Sequence, residues 1–246
     1  DVAQSYRPAS NDWQILPRMI QRRAGAAAGV IAGRLYVCGG CASDEPPMNS
    51  VECFDPAVGV WEIQPRMLLA RYGAAAAVLK DRLYVCGGWG DGGRSLNWVE
   101  RFNPATAEWQ GVPAMTERRA GPAVGTIDDH IYLCGGRDGK DTPCQSGTWQ
   151  SHALDSVECF DLLSCSWEAV PPMNVGRSAA ASAVVASSLY ICGGWDGVHA
   201  LSSVEVFLPE VGAWATIDDM RVARLGASAA AVAGRLYVFG GTDGTA

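Results

Sequence analysis

A chain of 246 residues, 48% of them hydrophobic and 18% charged, carries enough apolar side chains for a sizeable core. Its formal net charge of −7 and pI near 4.9 argue against general nucleic-acid affinity, which rests on neutralising phosphates with Lys and Arg. No apolar run reaches the roughly 18 residues of a membrane span and no basic-then-apolar leader opens the chain, so the expectation is a cytoplasmic protein without nucleic-acid or membrane partners.

Taken in chain order, residues 1–17 match only the second half of a longer unit, with Tyr6 standing on Phe54, Pro8 on Pro56 and Trp13 on Trp61. Four whole units follow at about 18–65, 66–113, 114–171 and 172–218, and residues 219–246 match only a first half. The unit of 66–113 shows the pattern. "AAAAVLKDRLYVCGG" from Ala74 gives a small-residue strand, a two-residue polar turn near Lys80-Asp81, and a second strand ending at Gly87-Gly88. A loop, a third strand "WVERF" from Trp98, an Asn-Pro turn and a fourth strand opening at Trp109 complete it. Trp13, Trp61, Trp109, Trp167 and Trp214 are spaced by 48, 48, 58 and 47, and the second glycines of the Gly-Gly pairs repeat those numbers. A methionine follows each of these tryptophans by six, and an arginine follows each methionine by four: Arg23, Arg71, Arg119, Arg177 and Arg224. The one long unit has gained about 11 residues around Lys140–Gln150, polar and turn-rich, which reads as a surface loop.

Four short strands per unit with no helical period predict an all-β propeller of four-stranded blades. The alanine-rich first strand suits a crowded central axis, and the glycine pair suits a positive φ or a close backbone approach. Joined, the two terminal halves fill a ring of five blades, closed by N- and C-terminal strands sharing one blade, which would bury Trp13. The alternative is an arc of a six-bladed propeller. Cys38, Cys86, Cys134 and Cys192 occupy one repeat position that Phe239 fills in the fifth copy, so the position asks for an apolar side chain. The other five cysteines, Cys41, Cys53, Cys144, Cys159 and Cys165, form no CxxC pair among themselves, and an odd count of mostly in-register thiols fits a reducing compartment, although Cys38 with Cys53 and Cys134 with Cys159 could face each other across adjacent strands.

The Gly-Gly after an apolar strand, the third-strand aromatic (Tyr6, Phe54, Phe102, Phe160, Phe207) and the tryptophan opening the fourth strand resemble the Kelch repeat over essentially the whole chain. "LDSVECFD" from Leu154 and "LSSVEVFLP" from Leu201 are most similar to Kelch domains of BTB–Kelch adaptors. The resemblance implies a protein–protein interaction module, plausibly the substrate-recognition part of a cullin-type ubiquitin ligase adaptor, with BTB and cullin partners engaged through regions outside this chain. It leaves open an actin- or scaffold-binding or regulatory Kelch domain, and a propeller enzyme as a further class. No catalytic residue, cofactor or metal is assigned. Of the histidines His130, His152 and His199, the last two are repeat-equivalent, and equivalent positions on two blades need not converge on one metal; no G-x-S-x-G or phosphate loop occurs.

The loop after Gly-Gly and the segment leading into the next blade should share one face, because second and fourth strands run the same way. That face is expected to bind an acidic peptide through Arg23, Arg71, Tyr72, Trp89, Arg94, Arg119, Arg137, Arg177, Ser178, Trp195, His199 and Arg224. A competing expectation makes the five register arginines blade braces. Glu52, Glu100, Glu158 and Glu205 recur in the third strand and would be their carboxylate partners.

Overall fold

The computed structural model describes residues 1–43, 45–139, 142–143, 149–150 and 152–244. The first two strands, β1 (Gln4–Arg7) and β2 (Asp12–Ile15), form a hairpin. Four sheets follow, each with its strands paired antiparallel in sequence order. The first blade is β3 (Ala27–Ile31), β4 (Arg34–Cys38), β5 (Val51–Asp55) and β6 (Val60–Gln64). The second is β7 (Ala75–Leu79), β8 (Arg82–Cys86), β9 (Val99–Asn103) and β10 (Glu108–Val112). The third uses β11 (Ala123–Ile127), β12 (His130–Cys134), β15 (Val157–Asp161) and β16 (Ser166–Val170). Its long loop carries the two-residue strands β13 (Thr142–Pro143) and β14 (Trp149–Gln150), paired to each other; the rest of the Lys140–Gln150 insertion lies outside the described residues. The fourth blade is β17 (Ala181–Val185), β18 (Ser188–Cys192), β19 (Val204–Leu208) and β20 (Ala213–Ile217), and β21 (Leu225–Val232) with β22 (Arg235–Thr242) ends the chain as a hairpin.

The turn between first and second strands behaves as its residues require. Lys80 and Asp81 both take positive φ, +47° and +54°, the geometry that matches the right-handed twist of a two-residue hairpin. Each third-strand phenylalanine stands opposite the fourth-strand tryptophan, with ring centroids 5.0–5.2 Å apart for Phe54–Trp61, Phe102–Trp109, Phe160–Trp167 and Phe207–Trp214. The indole N–H then reaches out of the blade: Trp61, Trp109, Trp167 and Trp214 donate to the carbonyls of Pro17, Pro65, Pro113 and Pro171, each four residues after the preceding repeat's tryptophan. Blade-to-blade packing continues inside, where Tyr36 meets Phe102, Tyr84 meets Phe160 and Tyr132 meets Phe207 across 5.4–6.0 Å.

The expected closure is corrected. The hairpins β1–β2 and β21–β22 are separate two-stranded sheets, and among the described residues no pairing joins β22 to β1. Trp13, expected to be buried, is 68% exposed, and Phe239 is 55% exposed. Repeat arithmetic counts units, but the angle between blades is set by how inner strands pack, and that angle decides where the ends fall. The contacts run β3 to β7, β7 to β11, β11 to β17 and β17 to β21, giving an arc of four full blades between two half-blades.

The four register thiols are buried, as the apolar substitution at Phe239 implied. Register places Cys38 opposite Val51 and Tyr36 opposite Cys53, so this alternative pairing does not occur; Cys134 and Cys159 are offset likewise. All described cysteines are free. Burial pushes the thiols of Cys38, Cys86 and Cys134 up to about 12 and that of Cys192 up to about 11, so the nucleophilic thiolate is absent at neutral pH. A colourimetric disulfide reagent at pH 8 is expected to leave these four untouched in the native protein and to titrate them after denaturation. Native labelling mapped to any of the four by mass spectrometry would refute it.

Candidate ligand cavity

The register arginines are the first residues to place, and four of the five are not on the surface. The side chains of Arg23, Arg71, Arg119 and Arg177 have no exposed area. Each meets its carboxylate, Glu52 at 2.7 Å, Glu100 at 2.5 Å, Glu158 at 3.0 Å and Glu205 at 2.7 Å. Each also donates through Nη1 to the first glycine of its own Gly-Gly pair and to the residue before the third strand, as Arg119 does to Gly135 and Ser156, both at 2.8 Å. The carboxylates are completed by backbone N–H donors of the incoming segment: Ile20 and Gln21, Leu68 and Leu69, Thr116 and Glu117, Asn174 and Val175. These arginines hold the second and third strands and a crossing segment together, so the expectation that Arg23, Arg71, Arg119 and Arg177 contact ligand is corrected. A repeated arginine that satisfies buried carbonyls in every blade has no free face to offer. The fifth, Arg224, is half-buried and donates to the Gly240 carbonyl.

The main chain of the same arginines ties neighbouring blades. The second glycine of each pair donates its N–H to the carbonyl of the next blade's arginine: Gly40 to Arg71, Gly88 to Arg119, Gly136 to Arg177 and Gly194 to Arg224, at 2.7–2.9 Å. A Cβ on the first glycine would overlap that carbonyl oxygen, so Gly39, Gly87, Gly135 and Gly193 must lack a side chain. Two residues beyond each arginine a second ladder circles the axis, with Gly73 donating to Gly25, Gly121 to Gly73, Ala179 to Gly121 and Gly226 to Ala179. This ladder was missed in the sequence, where its signal is a glycine two residues after the arginine in four of five copies.

Between these ladders, the residue after Gly-Gly pairs with the residue after the arginine in both directions. Tyr72 and Trp89 exchange hydrogen bonds at 3.0 and 2.7 Å, Ala120 and Arg137 at 2.9 Å, and Ser178 and Trp195 at 3.0 and 2.8 Å. The two loops therefore share one face, as expected. Where successive pairs meet at the axis they line a cavity of about 400 Å³, walled by Tyr72, Trp89, Ala120, Arg137, Ser178, Trp195 and Leu225 with backbone of Gly73, Gly121 and Ala179. Five expected site residues, Tyr72, Trp89, Arg137, Ser178 and Trp195, are brought together there; Arg94 and His199 are exposed and do not line it. Arg137 stands in the blade between the two tryptophans, and its Nε is buried without a hydrogen-bond partner. The tryptophans also serve the scaffold: a Cβ on Gly139 would lie 3.2 Å from the Trp89 ring, and one on Gly244 would lie 4.0 Å from Trp195. Each indole thus rests one edge on the next blade's loop and turns the rest toward the cavity. Among the described residues no three His, Cys, Asp or Glu side chains are grouped to hold a metal ion.

Blades of this strand order, arginine–glutamate braces and glycine pairs define a Kelch-type β-propeller. Residues 25–241 match the family model described as the KLHDC2/KLHL20/DRC7 Kelch-repeats domain, and the chain belongs to that family. It is similar in fold to a solved structure of YjhT, with a TM-score of 0.82 at 17% identity, covering 95% of this chain and 81% of that one. No curated protein sequence matches. No helix is long and apolar enough to cross a membrane among the described residues.

Proposed function

We propose that this propeller is a peptide-binding module whose axial cavity receives one carboxylate of a protein ligand, flanked by apolar contacts. The observation that carries the reading is Arg137, a cation with an unpartnered Nε, set between Trp89 and Trp195. A guanidinium offers a planar fork for a carboxylate, and tryptophan supplies large rigid contact area. The sequence-based expectation of a strongly acidic ligand narrows, because four of the arginines that motivated it are spent in braces. One acidic group near apolar residues fits this lining better than an acidic run. Kelch domains are typical interaction modules, and the likeness of "LDSVECFD" and "LSSVEVFLP" to BTB–Kelch adaptors supports the role of substrate receptor in a cullin-type ubiquitin ligase.

Selection of random displayed peptides on the folded domain tests the cavity. Selected peptides are expected to share an Asp or Glu, and Arg137→Ala should weaken a synthesised one by about 1.5–3 kcal/mol, the worth of a charged hydrogen bond. Arg137 is half-buried on the cavity wall and takes no part in the arginine–glutamate braces, so the melting temperature should stay near that of the parent. Selected peptides without an acidic residue, or unchanged affinity in Arg137→Ala, would sink the assignment.

A further inference from the structure

The second blade departs from the repeat at two positions that touch each other. Ser50, Ser156 and Ser203 precede the third strands of the first, third and fourth blades, and each accepts a hydrogen bond from the brace arginine at 3.0–3.1 Å. In the second blade that position is Trp98, so Arg71 lacks the hydroxyl acceptor that Nη2 finds in the other three blades. Opposite Glu100 the fourth strand carries Gly111, where the other blades have Ile63, Ala169 and Thr216. A Cβ there would lie 2.9 Å from Cζ2 of Trp98, so the glycine is what makes room for the indole. A glycine inside a strand and a missing brace hydrogen bond both work against stability. Departures from a local rule of this kind are expected at functional sites.

The indole is only partly buried in exchange, for Trp98 remains 38% exposed. Beside the same brace lie Leu68 and Leu69, 52% and 38% exposed, held by their backbone N–H groups on Glu100. The segment they belong to runs from Pro65, which accepts from Trp109, to Tyr72 at the cavity wall. The corresponding residues of the third blade's segment are Thr116 and Glu117, so the apolar pair is particular to this place.

We infer that Trp98, Leu68 and Leu69 form a second contact surface, continuous with the cavity through Tyr72, that takes large apolar side chains lying to one side of the ligand's carboxylate. The inference rests on the cavity being a peptide site. The occupant is the apolar part of the same peptide, because the patch is an indole with two leucine side chains, and the Glu100 carboxylate beside it is closed within the brace. The indole and the two leucines select among acidic peptides those with an aromatic or aliphatic neighbour.

The variant Trp98→Ser restores the residue of three other blades and gives Arg71 back its acceptor, so it should fold and melt no lower than the parent. Random displayed peptides selected on the native domain are expected to carry an acidic residue with aromatic or large aliphatic residues on one side. Selected on Trp98→Ser, they should keep the acidic residue and lose the apolar bias. A peptide chosen on the native domain should bind the variant about tenfold or more weakly, as for a tryptophan contact at an interface. An unchanged apolar bias with unchanged affinity overturns the second surface while leaving the cavity standing. Loss of the acidic requirement, with Arg137→Ala silent, overturns the cavity reading and this inference with it. Should Trp98→Ser melt lower, Leu68→Ser decides, since the fold uses only the backbone of Leu68: retained affinity for the apolar peptide then refutes the surface.

Discussion

Arg119→Ala is expected to destabilise the propeller by about 3–5 kcal/mol, the cost of leaving one member of a buried ion pair without its partner. The guanidinium touches Glu158 through Nε and Nη2, the carbonyls of Gly135 and Ser156, the Ser156 hydroxyl and Glu117. Alanine leaves the Glu158 carboxylate buried with only the donors of Thr116 and Glu117, and strips two buried carbonyls of their donor. Against a total stability of about 5–15 kcal/mol for a domain, the loss is close to unfolding. It should appear as a large fall in the denaturation midpoint, whereas Arg137→Ala, on the cavity wall, should leave the midpoint nearly unmoved. If Arg119→Ala melts like the parent and instead loses peptide binding, Arg119 is a ligand contact and the brace is misassigned.

The repeat made the architecture legible because each marker answers a physical demand met once per blade. Trp61 and its equivalents hold the proline carbonyl of the preceding segment, Glu100 and its equivalents close the arginine brace, and Cys86 and its equivalents fill the core. Five of the cavity-lining residues were legible for the opposite reason: Tyr72, Trp89, Arg137, Ser178 and Trp195 vary at fixed positions, as side chains do where only their backbone is needed by the repeat. The register arginines misled for the ligand because a periodic cation reads the same in sequence whether its partner is inside or outside the molecule. Only the depth of the side chain separates the two, and depth depends on the crossing segment from Met115 to Arg119 folding over Glu158. Closure failed similarly. Tyr6 and Trp13 match the repeat as well as Phe54 and Trp61 do, but residue matching cannot report that β1 and β22 stand apart. Trp98 and Gly111 escaped notice because each is unremarkable alone, and their complementarity exists only across two paired strands.

Gly135→Ala is expected to cost about 3 kcal/mol or more, from three effects that add at one atom. Its φ of +64° is left-handed, where a side chain costs about 1–2 kcal/mol. The new methyl would overlap the carbonyl oxygen of Arg177 and lie 2.9 Å from that of Leu154, so overpacking adds about 1–3 kcal/mol. Relief requires the next blade to withdraw, which loosens the Gly136 N–H bond to Arg177 at 2.9 Å and with it the ladder toward the axis. Gly59 supplies the control, since it has φ +71° in the turn between β5 and β6 with nothing within 4 Å of an added Cβ. Gly59→Ala should show the conformational cost alone, about 1–2 kcal/mol. The difference between the two denaturation midpoints measures how closely one blade's backbone must approach the next. Equal losses would mean that the glycine pair serves only the turn, and that the blades do not depend on this contact to stay in register.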